Sequence, residues 1–335
     1  MTNINMNGKV KPFLLKPVGK DYLWGGSRLN DDFSKGLALT PLAETWECST
    51  HPDGPSIVAS GGFKDRLLSS VLAEHPEFLG SHPQIGGGLP ILVKLIDARH
   101  DLSVQVHPDD AYAFRKENGQ QGKIEMWYVL DASEESQIIY GFYHDMEPEV
   151  LRKSLYQGDV EKYLQKVPVH KDDIFIVEPG TVHAIGAGTL IAEIQENSNL
   201  TYRMYDYNRT DSSGQRRELH IEKAMDVVNV KGSPEPRQPL RVLKYRRGCA
   251  LELLCRCQYF EVYRMLLNTE RCRELAEYEA DSISFRVLLC INGCGSILIE
   301  GGESIIFFKG DCIFFPAASG RVRLHGKAQL LDIRG

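Results

Sequence analysis

The sequence predicts a mainly β protein, built as a sandwich or barrel, on three observations. Short runs rich in Val, Ile, Phe and Tyr recur along the chain, punctuated by 30 glycines and 16 prolines. Many short strands with turns between them are the pattern of sandwiches and barrels. Helical periodicity is confined to a few stretches. A proline-rich segment at 231–239, KGSPEPRQP, has no periodicity and fits a stiff linker. It divides the 335 residues into two units, a length that suits two domains and a core needing no disulfide framework.

Strands are predicted over 90–98, 102–107, 124–131, 136–142, 173–178, 189–195 and 201–207. Beyond the linker they are predicted over 251–254, 259–267, 283–291, 296–300, 304–308, 312–315 and 328–333. Helices are predicted at 64–73 and at 109–117, where Asp109 and Asp110 suit the positive end of a helix. Residues 147–165 read as two short helices broken near Gly158, an insertion in the strand series, and 217–228 as one more helix.

Composition excludes several classes. With 42% hydrophobic and 25% charged residues, the chain is not disordered, collagen-like or a coiled coil. A net charge of −6 makes it a poor nucleic-acid binder, and the short cluster Arg241, Lys244, Arg246 and Arg247 reads as solvated surface. No apolar run reaches the roughly 18 residues of a membrane span, and the polar start reads as a loose tail rather than a signal peptide. The eight cysteines form no CxxC pair; Cys255-x-Cys257 and Cys290-x-x-x-Cys294 lack zinc-knuckle spacing. Reduced, mostly buried thiols in a cytoplasmic protein are expected.

The most informative segment is Leu102-Ser-Val-Gln-Val-His107-Pro108. Successive strand side chains point to opposite faces, so Leu102, Val104 and Val106 are expected on a core face and Ser103, Gln105 and His107 on the other. By the same parity Lys123, Glu125 and Trp127 share a face, and a carboxylate turned inward is costly unless paired or bound to metal. In Glu178-Pro-Gly-Thr-Val-His183 a tight turn delivers a second imidazole. Gln105, His107, Glu125 and His183 make an N/O donor set suited to zinc first, with Mn²⁺, Fe²⁺, Co²⁺ or Ni²⁺ also served. Two His and one carboxylate is also the facial triad of non-haem iron oxygenases, and ligand type alone does not separate these. Downstream, Glu193 and Gln195 share one face and Arg203, Tyr205 and Tyr207 another; guanidinium donors of this kind suit a phosphate or a developing oxyanion.

These segments resemble the type I mannose-6-phosphate isomerases, zinc-dependent cupins, in their shorter bacterial form. The shared blocks are Tyr22-Leu-Trp24-Gly-Gly26, Ala43-Glu-Thr-Trp46-Glu47, Leu89-Pro-Ile-Leu-Val-Lys94, Leu102 to Pro108, Gly122-Lys-Ile-Glu125-Met-Trp127, Pro179-Gly-Thr-Val-His183-Ala184 and Glu193 to Arg203. They follow the family's order over about the first 210 residues. The resemblance implies two cupin-type β-barrels (jelly rolls): a catalytic, metal-binding domain over 1–233 with a short helical insertion at about 145–168, and a metal-free cupin-like domain over 240–335. It implies one Zn²⁺ per chain on Gln105, His107, Glu125 and His183, and Arg203 as the active-site arginine. It also places Lys94, Ser103, Lys123 and Glu193 around the substrate. Longer members carry a Ser-Asp-Asn stretch where this chain has Asn197-Ser-Asn199, so a role for that Asp does not transfer.

Interconverting mannose 6-phosphate and fructose 6-phosphate through a cis-enediol requires a Lewis acid, a base and cations. Arg203 is expected to stabilise the enediolate. Glu193 is the candidate base, with Lys123 or a metal-bound water as competitors. Lys94, Ser103 or Arg209 are expected to bind the phosphate. The expected partner is thus a small phosphorylated sugar, with no nucleic acid and no membrane, in a monomer or homodimer. An Fe²⁺ dioxygenase and a sugar-binding module without turnover are the rival readings.

Overall fold

The computed structural model describes residues 10–82, 87–210, 214–238, 242–270 and 274–335. Residues 1–9 of the polar start, Arg241, Cys272 and the junction at 239–240 lie outside the described residues.

A strand that is apolar on both faces belongs in a sheet covered on both sides. Ile91–Ala98 and Thr189–Glu196 are such strands, buried throughout. They pair with Lys94 opposite Glu193 at the centre of a six-stranded antiparallel sheet. Glu125–Ala132 and Ile174–Val177 extend it on one side, Glu44–Cys48 and Val18–Lys20 on the other. One face of this sheet packs on a five-stranded sheet through Ile96, Trp127, Val129, Ile138, Phe175 and Ile191. The five strands run Tyr202–Tyr205, Val104–Val106, His183–Ile185, Gln137–Phe142 and Leu164–Pro168. The opposite face, with Ile91, Val93 and Met126, packs on Val287, Phe314 and Leu331 of a ten-stranded sheet. That third sheet is made mostly of residues after 243, but Phe13–Lys16 pairs with Cys312–Phe315 in it and Ile57–Val58 follows. Helices Pro148–Gln157 and Ile221–Val227 cover the outer face of the five-stranded sheet, Leu151, Leu155 and Ala224 packing with Val104 and Val106. The result is a cupin-like stack of antiparallel sheets, none of them closed on itself. No helix among the described residues is long and apolar enough to cross a membrane.

Several expectations change in detail. Of the two short helices expected across 147–165, the first forms and ends at the expected break, Gly158, whose left-handed backbone (φ +74°) favours glycine, while the second does not form as an α-helix. After a single 3₁₀ turn, Leu164–Pro168 is an edge strand that pairs with Gln137–Phe142, with a register shift between Ile139 and Phe142. Residues 283–291 and 296–300 merge into one strand, Arg286–Ile299, whose register shifts between Cys290 and Asn292. The helix at 109–117 forms over Asp110–Lys116, with Asp109 accepting from the Tyr112 N–H at 2.7 Å as its cap. The seven described cysteines are free thiols, four of them buried.

Candidate metal centre and active site

The site lies between the six- and five-stranded sheets. His183 pairs across the strands with Gln105, and Arg203 with Gln105 from the other side, so three predicted residues stand abreast. Glu125 stands opposite Gln195, and Glu193 opposite both Trp127 and Lys94. Strand pairing therefore converts distant sequence positions into one cluster.

His107, Glu125 and His183 are buried and offer ligand atoms within 4.8 Å of one another. His107 Nε2 lies 3.2 Å from Glu125 Oε1, and His183 Nε2 3.8 Å from Oε2. The Gln105 amide sits 3.3 Å from His183 Nε2. His183 Nδ1 donates to the Thr181 carbonyl at 2.8 Å, which leaves the lone pair on Nε2, the nitrogen facing Glu125. Burial, with Lys123 adding to it, pushes His107 down to about 3, and burial also lowers His183. Both imidazoles are neutral bases, the form a metal binds. Two inward imidazole nitrogens and a buried carboxylate, converging in one place, fit a divalent cation.

Backbone clamps hold the carboxylate. Asp110 Oδ1 accepts from the Gly122 N–H at 2.7 Å, and Glu196 Oε2 from the Ile124 N–H at 2.8 Å, so the peptides flanking Lys123 are both fixed. A Cβ on Gly122 would stand 2.4 Å from the Asp110 nitrogen, so only glycine fits this approach. Tyr259, from the far sheet, donates to Asp110 Oδ2 at 2.6 Å. Lys123 Nζ lies 2.7 Å from Glu125 Oε1.

A cavity of about 260 Å³ opens beside the cluster. Lys94, Ser103, Gln105, Lys123, Glu125, Glu193 and Arg203 all line it. Glu193 is buried, with Oε1 3.1 Å from Lys94 Nζ and Oε2 accepting from the Trp127 indole at 2.9 Å. Burial, reinforced by Glu125, pushes its carboxyl above the usual range. Burial alone would depress Lys94, but Glu193 and Glu44 outweigh it and hold its ammonium firmly charged. Arg203 is aimed by Ser103 Oγ (3.3 Å) and the Glu218 carbonyl (2.9 Å).

Parity fails at two places. Leu102 precedes the strand Val104–Val106 and faces the cavity, while Val104 and Val106 pack under the helices. The register shifts between Arg203 and Tyr205, so Tyr205 turns to the helical side and donates to Glu161 at 2.9 Å. Arg209 is bound to Asp206 and the Asp101 carbonyl and does not line the cavity. Arg217, Glu44 and Tyr22 line it instead. Arg217 lies outside any strand, so no period pointed to it. Tyr22 and Glu44 lie inside blocks of family resemblance but carry no metal-ligand or base signature of their own.

Residues 13–142 match the model of the phosphomannose isomerase type I catalytic domain. A probable mannose-6-phosphate isomerase of Bacillus subtilis is 40% identical over 96% of this chain and 98% of its own length. The mannose-6-phosphate isomerase of Streptococcus mutans is 36% identical over 91% and 92%. The crystal structure of the mannose 6-phosphate isomerase from Bacillus subtilis superposes with a TM-score of 0.87 at 35% identity, covering 96% of this chain and 99% of that one. With a matching catalytic-domain model, relatives aligned over more than nine tenths of both chains and a candidate metal-binding group beside the cavity, this chain belongs to the type I phosphomannose isomerase family.

Proposed function

We propose that this chain interconverts mannose 6-phosphate and fructose 6-phosphate through a cis-enediol, with zinc on Gln105, His107, Glu125 and His183. The observation that carries the reading is the grouping of His107, Glu125 and His183 beside a cavity that also holds Lys94, Glu193 and Arg203. Zinc, when bound, supplies Lewis-acid polarisation of substrate oxygens. Glu193 moves the proton between C1 and C2. Its raised affinity for protons brings it toward the operating pH, where a general base works best. Lys94 and Trp127 each hold one of its oxygens and so fix its orientation. Lys123 is engaged with Glu125 and acts on the ligand carboxylate rather than on the sugar carbon. Arg203 stabilises the enediolate charge. Ser103 and Arg217, both of which line the cavity, are the phosphate contacts, with Asp206 holding the Arg217 guanidinium in place; Arg209, which does not line the cavity, is not.

Residues 1–233 carry this chemistry, and 240–335 act as a scaffold covering the face that bears Ile91, Val93 and Met126. Reduced thiols and a sugar-phosphate substrate suit the cytoplasm. The test is a coupled assay for fructose 6-phosphate formed from mannose 6-phosphate. Turnover should vanish with chelator and return with added zinc. Turnover unaffected by exhaustive chelation, or absent in metal-replete protein, overturns the proposal.

A further inference from the structure

The ten-stranded sheet carries a second concave site that the isomerase chemistry does not use. A cavity of about 560 Å³ is lined by Lys244, Arg246, Arg256, Arg286 and Arg334, with Asp332 as its carboxylate. It adjoins another of about 260 Å³, with Arg246, Leu251, Arg286 and Asp332 common to both. Among the acidic residues, Glu277, Glu279 and Asp281 line only the second cavity. The paired cavities therefore have a cationic end and an acidic end.

Three of the five cations already have carboxylate partners. Arg286 meets Asp332 at 2.8 Å, and Arg256 and Arg334 share Glu261. Lys244 and Arg246 have no carboxylate partner among the described residues, and Arg246 stands where the two cavities meet. A chain of net charge −6 thus keeps two free positive charges at one concavity. The floor is rigid: buried Asp332 accepts from Tyr278 at 2.7 Å as well as from Arg286. Leu251 and Leu253, half-buried on alternate positions of Cys249–Arg256, form an apolar wall, while Ala250, Glu252 and Leu254 turn the other way and are buried.

We propose that this site binds a phosphorylated sugar or polyol. The phosphate sits against Lys244 and Arg246, since a doubly charged monoester is matched by two cations and by guanidinium donors. The hydroxyls donate to Glu277, Glu279 and Asp281, acceptors that would repel a simple polyanion. Arg321, which pairs with Glu277 and Glu279 at 3.6 and 3.3 Å on the exposed rim, gives way at little cost. Leu251 and Leu253 take the C–H face of the carbon chain. The larger cavity falls within the roughly 300–1,000 Å³ of ligand sites, and its lining has no residue in common with the cavity beside the His107, Glu125 and His183 group.

The test counts sites on the full chain by equilibrium dialysis with sorbitol 6-phosphate, which cannot isomerise, and with inorganic phosphate. The double variant Lys244→Glu/Arg246→Glu, with both changes on exposed positions, should bind one sorbitol 6-phosphate fewer per chain than wild type. Its isomerase kcat should stay within twofold. If the catalytic reading were wrong, the counts would fall from one to none rather than from two to one, so the two failures are separable. Equal counts in wild type and variant overturn the site. Inorganic phosphate binding there as tightly as sorbitol 6-phosphate overturns the sugar or polyol assignment.

Discussion

Glu193→Gln isolates the proton-transfer step. The amide keeps the carboxylate's shape but cannot take a proton, so the loss should fall on kcat. General bases contribute about 10²–10⁴-fold, equivalent to about 3–5 kcal/mol of barrier. The site also fixes a stability cost. Lys94 and the Trp127 indole are both donors, at 3.1 and 2.9 Å, on the two carboxylate oxygens. An amide offers one acceptor, so one donor must rely on its other neighbour; the Trp127 indole also lies 3.1 Å from Glu125 Oε2, which keeps the cost at or below the about 1–3 kcal/mol of a buried unpaired donor. Lys94 retains Glu44 at 4.0 Å, which keeps the cost from rising further. The protein should therefore fold, melt a few degrees lower and keep its metal. The coupled assay at saturating mannose 6-phosphate reads kcat, and proton NMR in deuterated water reads deuterium entering the sugar. Both should fall together. A metal-loaded variant with kcat within threefold of wild type refutes the assignment of Glu193 as base.

Other outcomes follow from the same geometry. Arg203→Ala should lower kcat by about 10²–10³, the usual cost of one positioned donor, with metal content unchanged by elemental analysis; near-normal turnover removes its role. Tyr259→Phe deletes the hydrogen bond to Asp110, a link from the far sheet to the Gly122–Glu125 clamp; it should weaken zinc retention against a chelator several-fold while the KM for mannose 6-phosphate stays within twofold. The Glu196 carboxyl is pushed up to about 8, by burial first. In the unfolded chain it titrates near 4.3, so between about pH 4.3 and 8 the fold retains a proton that the unfolded chain releases. Its stabilising share is complete below about pH 4.3 and is lost as pH rises through about 8, at up to about 1.4 kcal/mol per pH unit. Glu196→Gln should flatten that slope, raising the melting temperature relative to wild type at pH 8 more than at pH 5; parallel curves contradict the shift.

Much of the site is legible because strands write their faces in period two. Gln105 and His107, Lys123 and Glu125, and Glu193 each lie in regular strands or at their edges, and pairing with neighbours brings them together. What escaped the pattern did so for physical reasons. The register shift after Arg203 turned Tyr205 away, and the strand's late start at Val104 placed Leu102 in the cavity. Arg217 reaches the cavity from irregular backbone, which has no period to read. Phe13–Lys16 pairs with a strand almost 300 positions later, and nothing local encodes that partner. Leu164–Pro168 follows a helix and a tight turn, and its buried Leu164 and Val167 stand three apart, a spacing that continues the helical pattern before it.

Zinc content of the purified full-length chain and of its Glu125→Ala variant, measured by elemental analysis after dialysis against metal-free buffer, tests most directly whether these side chains hold an ion. About one zinc per wild-type chain, and near none in a variant that still unfolds cooperatively, is the expected result. Full zinc occupancy in the variant, or a wild-type chain that isomerises the sugar without any divalent metal, would contradict it.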